Sequence, residues 1–446
     1  MVLLLAAAAA CSEDDKPGDL PDAPIAIDAA IDAAPPCAPI TGAGTTHGGS
    51  VTAAETWTAA GSPHILPFDM SINAEVTIEA CAVVRIAGGK TISVRTGGKI
   101  TAAGTAMKPI RIEKADAAAW VSIRTLNGGT LSFSYTTIDG GGDPLNGNAQ
   151  ISGALDIAGT SGPTQELLHA DHLTVTGSKS CGISLHDGGG FSATSKDVTI
   201  SGSTVAPITT FGRHVGSIPT GTYTGNTENA IIIRATSGPE AIVEDQVIHN
   251  RGVPYRVGIQ ANSTLDVGPV TGVATLTIEP GVTLKFSSNA TMRIDAASGL
   301  NPARGLLRAV GTAALPIVFT SAAATPAAGD WYGIWFGGVP SPMSLLDHVR
   351  VEYAGKISAS GSDSCLQTGQ TIPNDAAIRM VGGEPGNVFI MNTEIRDSAR
   401  FGIDRGYRSA AKASFLPTNT FTNVAACKES YPRDPSGACP VTIPCP

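Results

Sequence analysis

The sequence predicts an all-β chain wound into a solenoid, and three observations predict it. A block of residues returns two hundred positions later. Its segments alternate apolar and polar residues with a period of two. A looser unit of the same cadence fills the rest of the chain. Stacked repeats of short β segments bury a core only by covering one another, which is the logic of a solenoid.

The first copy reads AEVTIEACAVVRI (74–86), then ITAAGTAMKPIRI (100–112), Trp120 and SYTTIDGG. The second reads ATLTIEPGVTLKF (274–286), then LRAVGTAALPIVF (307–319), Trp331 and HVRVEYAG. In GVTLKF, Val282, Leu284 and Phe286 fall on one face and Thr283 and Lys285 on the other. Ala82, Val84 and Ile86 alternate with Val83 and Arg85 in the same way, and Ile110, Ile112, Ile317 and Phe319 repeat the pattern. That period belongs to a half-buried strand. The looser unit appears in HADHLTVTGSKSCGISL, LLDHVRVEYAG and VFIMNTEIRDSARFGI, with SKDVTISGS and EAIVEDQVIHN as further rungs. Its spacing, roughly 20–25 residues per coil, suits parallel strands stacked about 4.8 Å apart. The open ends need caps. Residues 38–70 and the Cys-rich tail from Phe415 are the expected ones.

Composition agrees. Of 446 residues 42% are hydrophobic and only 15% charged, and 52 Gly and 30 Pro punctuate the segments. The net charge of −9 is local. Residues 12–36 hold seven acids and one base, which leaves about −3 for the rest. A nearly neutral body has no basic footprint for nucleic acid, so no nucleic-acid partner is expected.

The N-terminus reads as an address. VLLLAAAAA (2–10) is too short to span a bilayer and ends at Cys11, like the core and small-residue end of a secretion signal. AAAC resembles a bacterial lipobox, with Ala8 where Leu is usual. The resemblance implies that residues 1–11 are a lipoprotein signal and that Cys11 is lipidated. Residues 12–36, rich in Asp, Ala and Pro, read as a disordered tether. The DAAIDAA run resembles the spacers of myxobacterial lipoproteins. Residues 37–446 are expected to form one β-helix domain, with related halves over about 37–250 and 251–414 and a Cys-rich cap over 415–446.

Seven cysteines follow Cys11, an odd number. The expected bridges are Cys37–Cys81, Cys365–Cys427 and Cys439–Cys445, stapling both ends, with Cys181 a free buried thiol. No CxxC pair is present, so no metal is expected.

The string TIEPGVTLKF…LRAVGTAALPIVFTSAAATPAAGDWYGIWF…LDHVRVEYAG resembles right-handed parallel β-helix proteins of the bacterial, myxobacterial-type lipoprotein kind. The resemblance covers 274–403 well and 74–141 more weakly. It implies a right-handed parallel β-helix at the cell surface or secreted, without an assigned reaction or cofactor.

Candidate chemistry lies on outward positions. Asp347, His348, Arg350 and Glu352 share one segment, with His348, Arg350 and Glu352 expected to point one way. Arg396, Asp397, Arg400, Asp404, Arg405 and Arg408 form a second cluster. Paired carboxylates of this kind suit glycoside hydrolysis if they converge across coils. Such rows also simply keep a sheet soluble. Trp331 and Trp335, near Asp330, are placed outward, with Tyr332, Ile334 and Phe336 inward; outward indoles either pack against a loop such as TSAAATPAAGD, the favoured reading, or offer a sugar-stacking surface. His169, Asp171 and His172 offer metal-type ligands, but His172 does not share the strand face of the other two, and the expected reading is a polar turn opening a rung. The leading reading is an outer-membrane or cell-surface lipoprotein, monomeric and non-enzymatic, that displays a binding or adhesive face to a glycan or protein. The alternatives are a polysaccharide lyase or glycoside hydrolase, and a passive structural protein.

Overall fold

A computed structural model of the chain describes residues 36–142, 152–160, 162–235, 241–295, 303–358, 360–366, 374–410, 413–440 and 445. Residues 1–36 separate from 37–446 as a distinct unit, and the second unit carries the fold. The signal, Cys11 and nearly all of the 12–36 tether lie outside the described residues.

The body is a parallel β-helix. Strands make up 44% of the chain and helix 2%, which matches the near absence of a 3.6-residue period. Sheets of twelve, fourteen, five and five strands run along the coil, and among the described residues their strand pairings are parallel. Register carries the core. In the fourteen-stranded sheet Ile92, Ile123, Leu155, Ile183 and Ile208 are successive partners. Further on, Tyr255, Leu284, Phe319, Val351 and Ile395 continue the column. Each of these side chains is buried, and each contributes about 1.5–3 kcal/mol relative to exposure.

The two sequence copies do not occupy the same sheets. Val83–Ile86 lies in the twelve-stranded sheet, while its counterpart Thr283–Phe286 lies in the fourteen-stranded one. The change occurs where Ile231–Ile233 pairs with Tyr255–Val257. The coil there carries four segments instead of three: the 3-10 turn Gly212–Ser217, Gly221–Thr222, Ile231–Ile233, and Ile242, which bridges to Val267. The additional segment advances the chain by one side. The twelve-stranded sheet accordingly ends at Gly221–Thr222, and two five-stranded sheets open after it.

Turns between sides are held by residues in the left-handed region. Cys81 (φ 70°) occupies the turn that Gly281 (φ 80°) takes in the second copy. Cys81 is also fixed in place there by its bridge to Cys37. Side chains ladder along these corners, as in Asn289 to Asn262 at 3.1 Å and Asn423 to Asp397 at 3.0 Å.

Both expected caps are partly coil. Thr45–Thr46 already pairs with His64–Leu66, so rungs begin inside 38–70. At the far end Thr420–Val424 adds a rung to the fourteen-stranded sheet. The tail then turns once more beside Phe401–Arg405, with Gly402 N–H donating to the Cys427 carbonyl and Ser430 N–H to that of Ile403. Tyr431–Pro432 next runs antiparallel to Ser364–Cys365.

That path corrects two expected bridges. The pairs are Cys37–Cys81, Cys365–Cys439 and Cys427–Cys445, not Cys365–Cys427 and Cys439–Cys445. Cys427 is committed to the last rung, buried in an apolar cluster with Ala376 and Phe401. Cys365 is instead met by Cys439 once the chain has run past it through the antiparallel pair. Cys181 is buried and forms no disulfide, as expected. Burial pushes its thiol up to about 11, which rules it out as a thiolate nucleophile at neutral pH.

Candidate functional site

The outward positions of one five-stranded sheet form a single in-register row. Asp266 faces Arg293, Arg293 faces Trp335, Trp335 faces Arg379, and Arg379 faces Asp404. Two candidates from the sequence, Trp335 and Asp404, thus meet through Arg379, a residue the sequence reading passed over. Asp266 takes Arg293 bidentately at 2.7 and 2.8 Å. Arg379 spends all its donors: Nε on Asp404 at 3.3 Å, Nη1 on Asp375 at 3.2 Å and Ser358 at 3.3 Å, and Nη2 on the carbonyls of Ser360 and Gly361. Its guanidinium stands 5.4 Å from the centre of the Trp335 ring. Asp404 is fully buried and also accepts from Ser362, Ser364 and Ser430 at 2.7–2.9 Å. Burial raises its carboxyl above the usual range, and Arg379 opposes the rise.

Beside this row lies a cavity of about 240 Å³, lined by Thr291, Tyr332, Trp335, Ser358, Ser360 and Asp375, with Arg379. Trp335 is half-buried, and its indole nitrogen is buried without a hydrogen-bond partner among the described residues. Gly333 also lines the cavity, and the neighbouring strand packs too closely on it for any side chain. A β-carbon there would meet the Ala377 carbonyl at 2.4 Å, and its φ of +114° suits only glycine. A second cavity, about 420 Å³, forms beside the 3-10 turn and includes Glu166, Ser217, His249 and Arg251.

Two expected side-chain orientations are corrected. Trp331 is not outward: it is fully buried, stacked on Phe286 at 4.0 Å, with its indole N–H donating to the Glu352 carbonyl at 2.8 Å. Tyr332 is not inward, since it lines the cavity. Asp330 serves a turn, accepting from Ser321 Oγ at 2.6 Å and Ala327 N–H at 3.0 Å. The strand begins only at Gly333, so the alternation read through 331–336 does not extend back to Trp331.

Of the other carboxylate candidates, Glu352 and Asp397 lie on the fourteen-stranded sheet and Asp347 on the second five-stranded one, and each has a partner. Arg350 faces Glu394, and Glu352 faces Arg396 one coil away. Arg350 Nε meets Glu394 at 2.7 Å, and Arg396 Nη2 meets Glu352 at 2.6 Å. Glu352 also accepts from Thr320 Oγ1 at 2.9 Å and is only 6% exposed. His348 does not join the row. It sits at the corner before Val349–Glu352 with φ 50°, bonded to Asp347 at 2.8 Å. Asp347 further accepts from Asn392, and Asp397 from Asn423, both in corner ladders. Because Arg350 and Glu394 are each about a third exposed, a double-mutant cycle with Arg350→Ala and Glu394→Ala is expected to give a coupling of about 0.2–1 kcal/mol by urea denaturation. A coupling well above that range would mark the pair as more than a cross-coil staple.

Among the described residues, one His-carboxylate group has metal-ligand proximity. Ligand atoms of Asp171, His172 and Asp197 lie within 4.8 Å of one another. His172 is already engaged, with Nδ1 on Asp171 at 2.6 Å and its ring stacked on Tyr135 at 4.3 Å, and Lys196 stands 3.9 Å from Asp171. His169 bonds Ser192 and Thr194 instead.

The fold defines the structural class, a parallel β-solenoid. Comparison of the chain with protein-family models, with curated proteins and with solved structures found no match.

Proposed function

We propose that this is an exported lipoprotein of the cell envelope, anchored through Cys11, whose solenoid is not an enzyme and presents a binding face to an extracellular glycan or surface protein. The observation that carries the non-catalytic reading is the pairing of the outward acids. Glu352 and Glu394 are each held by arginine from the neighbouring coil, and neither residue lines the two cavities described above. A glycosidase needs one carboxyl to give a proton and another to attack or to activate water; acids locked in cross-coil pairs are poor at both. Three disulfides suit an oxidising compartment. The apolar run before Cys11 supports the anchor.

Purified protein incubated with a panel of polysaccharides is expected to release no new reducing ends and no unsaturated uronate. Release above a boiled control would replace this reading with the lyase or hydrolase one. Cells fed a fatty-acid analogue are expected to label the chain, and Cys11→Ala to abolish the label. Equal labelling of both would remove the anchor.

A further inference from the structure

We infer that the cavity beside Trp335 is a binding site for one neutral pyranose residue of an uncharged glycan. The inference deepens the binding-face reading above and rests on it.

Size comes first. At about 240 Å³ the cavity falls below the roughly 300–1,000 Å³ of sites for drug-sized ligands, so it admits one ring and not a chain. Its wall combines two chemistries. Trp335 and Tyr332 supply aromatic surface, and Thr291, Ser358, Ser360 and Asp375 supply hydroxyls and a carboxylate. A pyranose has the matching parts: an apolar face of C–H bonds and a rim of hydroxyls that both donate and accept. The platform is preorganised, because Arg379 is fixed by its bonds to Asp404, Asp375 and two carbonyls and lies over the indole. A site held this firmly loses little entropy on binding.

Charge selects against acidic sugars. The row and cavity hold two cations, Arg293 and Arg379, against three carboxylates, Asp266, Asp375 and Asp404. Arg293 is taken bidentately by Asp266, and every donor of Arg379 is spent, so no guanidinium fork is left for a uronate.

Saturation-transfer NMR on the full-length protein, with methyl glycosides of glucose, galactose, mannose and N-acetylglucosamine and with glucuronate and galacturonate, tests this. At least one neutral glycoside is expected to receive saturation and both uronates to receive none. Trp335→Ala is expected to weaken the neutral ligand about tenfold or more. Thr291→Tyr, which fills the cavity from the adjacent strand while keeping a good strand former, is expected to do the same; it decides the matter if Trp335→Ala does not fold. No saturation of any neutral glycoside, preference for a uronate, or unchanged binding in the folded variants would overturn the inference. A glycan array separates the two levels. Array binding that survives in both variants keeps the surface-binding reading and removes this site. Loss of array binding in both variants places the glycan contact here.

Discussion

Replacing Trp331 with alanine is expected to lower stability by about 3–5 kcal/mol, whereas the same change at Trp335, four residues on, costs less than about 1.5 kcal/mol. Trp331 lies in the core, stacked on Phe286 with an interplanar angle of 7°, and Phe286 is in turn stacked with Phe319. Truncation leaves a cavity in the centre of the coil and strips the Glu352 carbonyl of its donor. Trp331→Phe keeps the stack and loses the bond, so it falls between, at about 1–2 kcal/mol. Trp120 makes the same staple in the first copy, donating to the Asp139 carbonyl at 3.1 Å, with Gly141 packed against its ring. Because a solenoid unfolds by neighbouring repeats, the global melt is to be joined by hydrogen exchange on Thr283–Phe286 and Ile317–Ser321, the strands beneath the indole. A loss below 1 kcal/mol, with protection unchanged there, would contradict a central packing role for the repeated tryptophan.

The repeat was legible because its inward half obeys packing alone. Val282, Leu284 and Phe286 must bury, so their period of two survives in the sequence, and the structure buries all three. What the sequence left hidden depends on register, which is set by coil length. Arg379 and Asp404 sit 25 residues apart and meet only because Ala376–Met380 pairs with Phe401–Arg405. Nothing in AAIRM marks its arginine as buried. Arg350 and Arg396 likewise look like solubilising charge until the pairing of neighbouring coils sets each beside a carboxylate. The misplacement of Trp331 has a local cause. Gly333, at φ +114°, breaks the strand geometry between the two tryptophans, so the alternation cannot be carried across it. The rotation of the second copy onto another sheet comes from one additional segment in a stretch of weak pattern between Gly212 and Ile242, which no periodicity reveals.

That same stretch is expected to make the protein acid-sensitive well above the carboxylate range. His214, in the 3-10 turn, is fully buried. Gly188 N–H donates to its Nε2 at 3.2 Å, which requires an unprotonated nitrogen there and places the ring proton on Nδ1, facing Thr164 Oγ1 at 3.2 Å. Burial first, and the charge of Arg213 second, bring its pKa down from 6.5 to about 3. A group held neutral in the fold stabilises fully above its unfolded pKa and loses that contribution as the medium acidifies towards the folded one. Stability is therefore expected to fall between pH 6.5 and about 3, by about 2 kcal/mol at pH 5. His186 acts in the opposite sense. Burial would lower its pKa, but Asp156 and Asp187, 2.9 and 2.7 Å from its two nitrogens, raise it overall. Its contribution is present below 6.5 and is lost as pH rises through the raised value. Urea denaturation at pH 7.5, 6 and 5 separates the two. The unaltered chain is expected to lose stability across this series, and His214→Gln, which offers an amide with no proton to take up, is expected to lose less than half as much. Parallel losses in both proteins would show that the acid response lies elsewhere. A gain in stability on acidification would mean that the His186 clamp outweighs the buried ring.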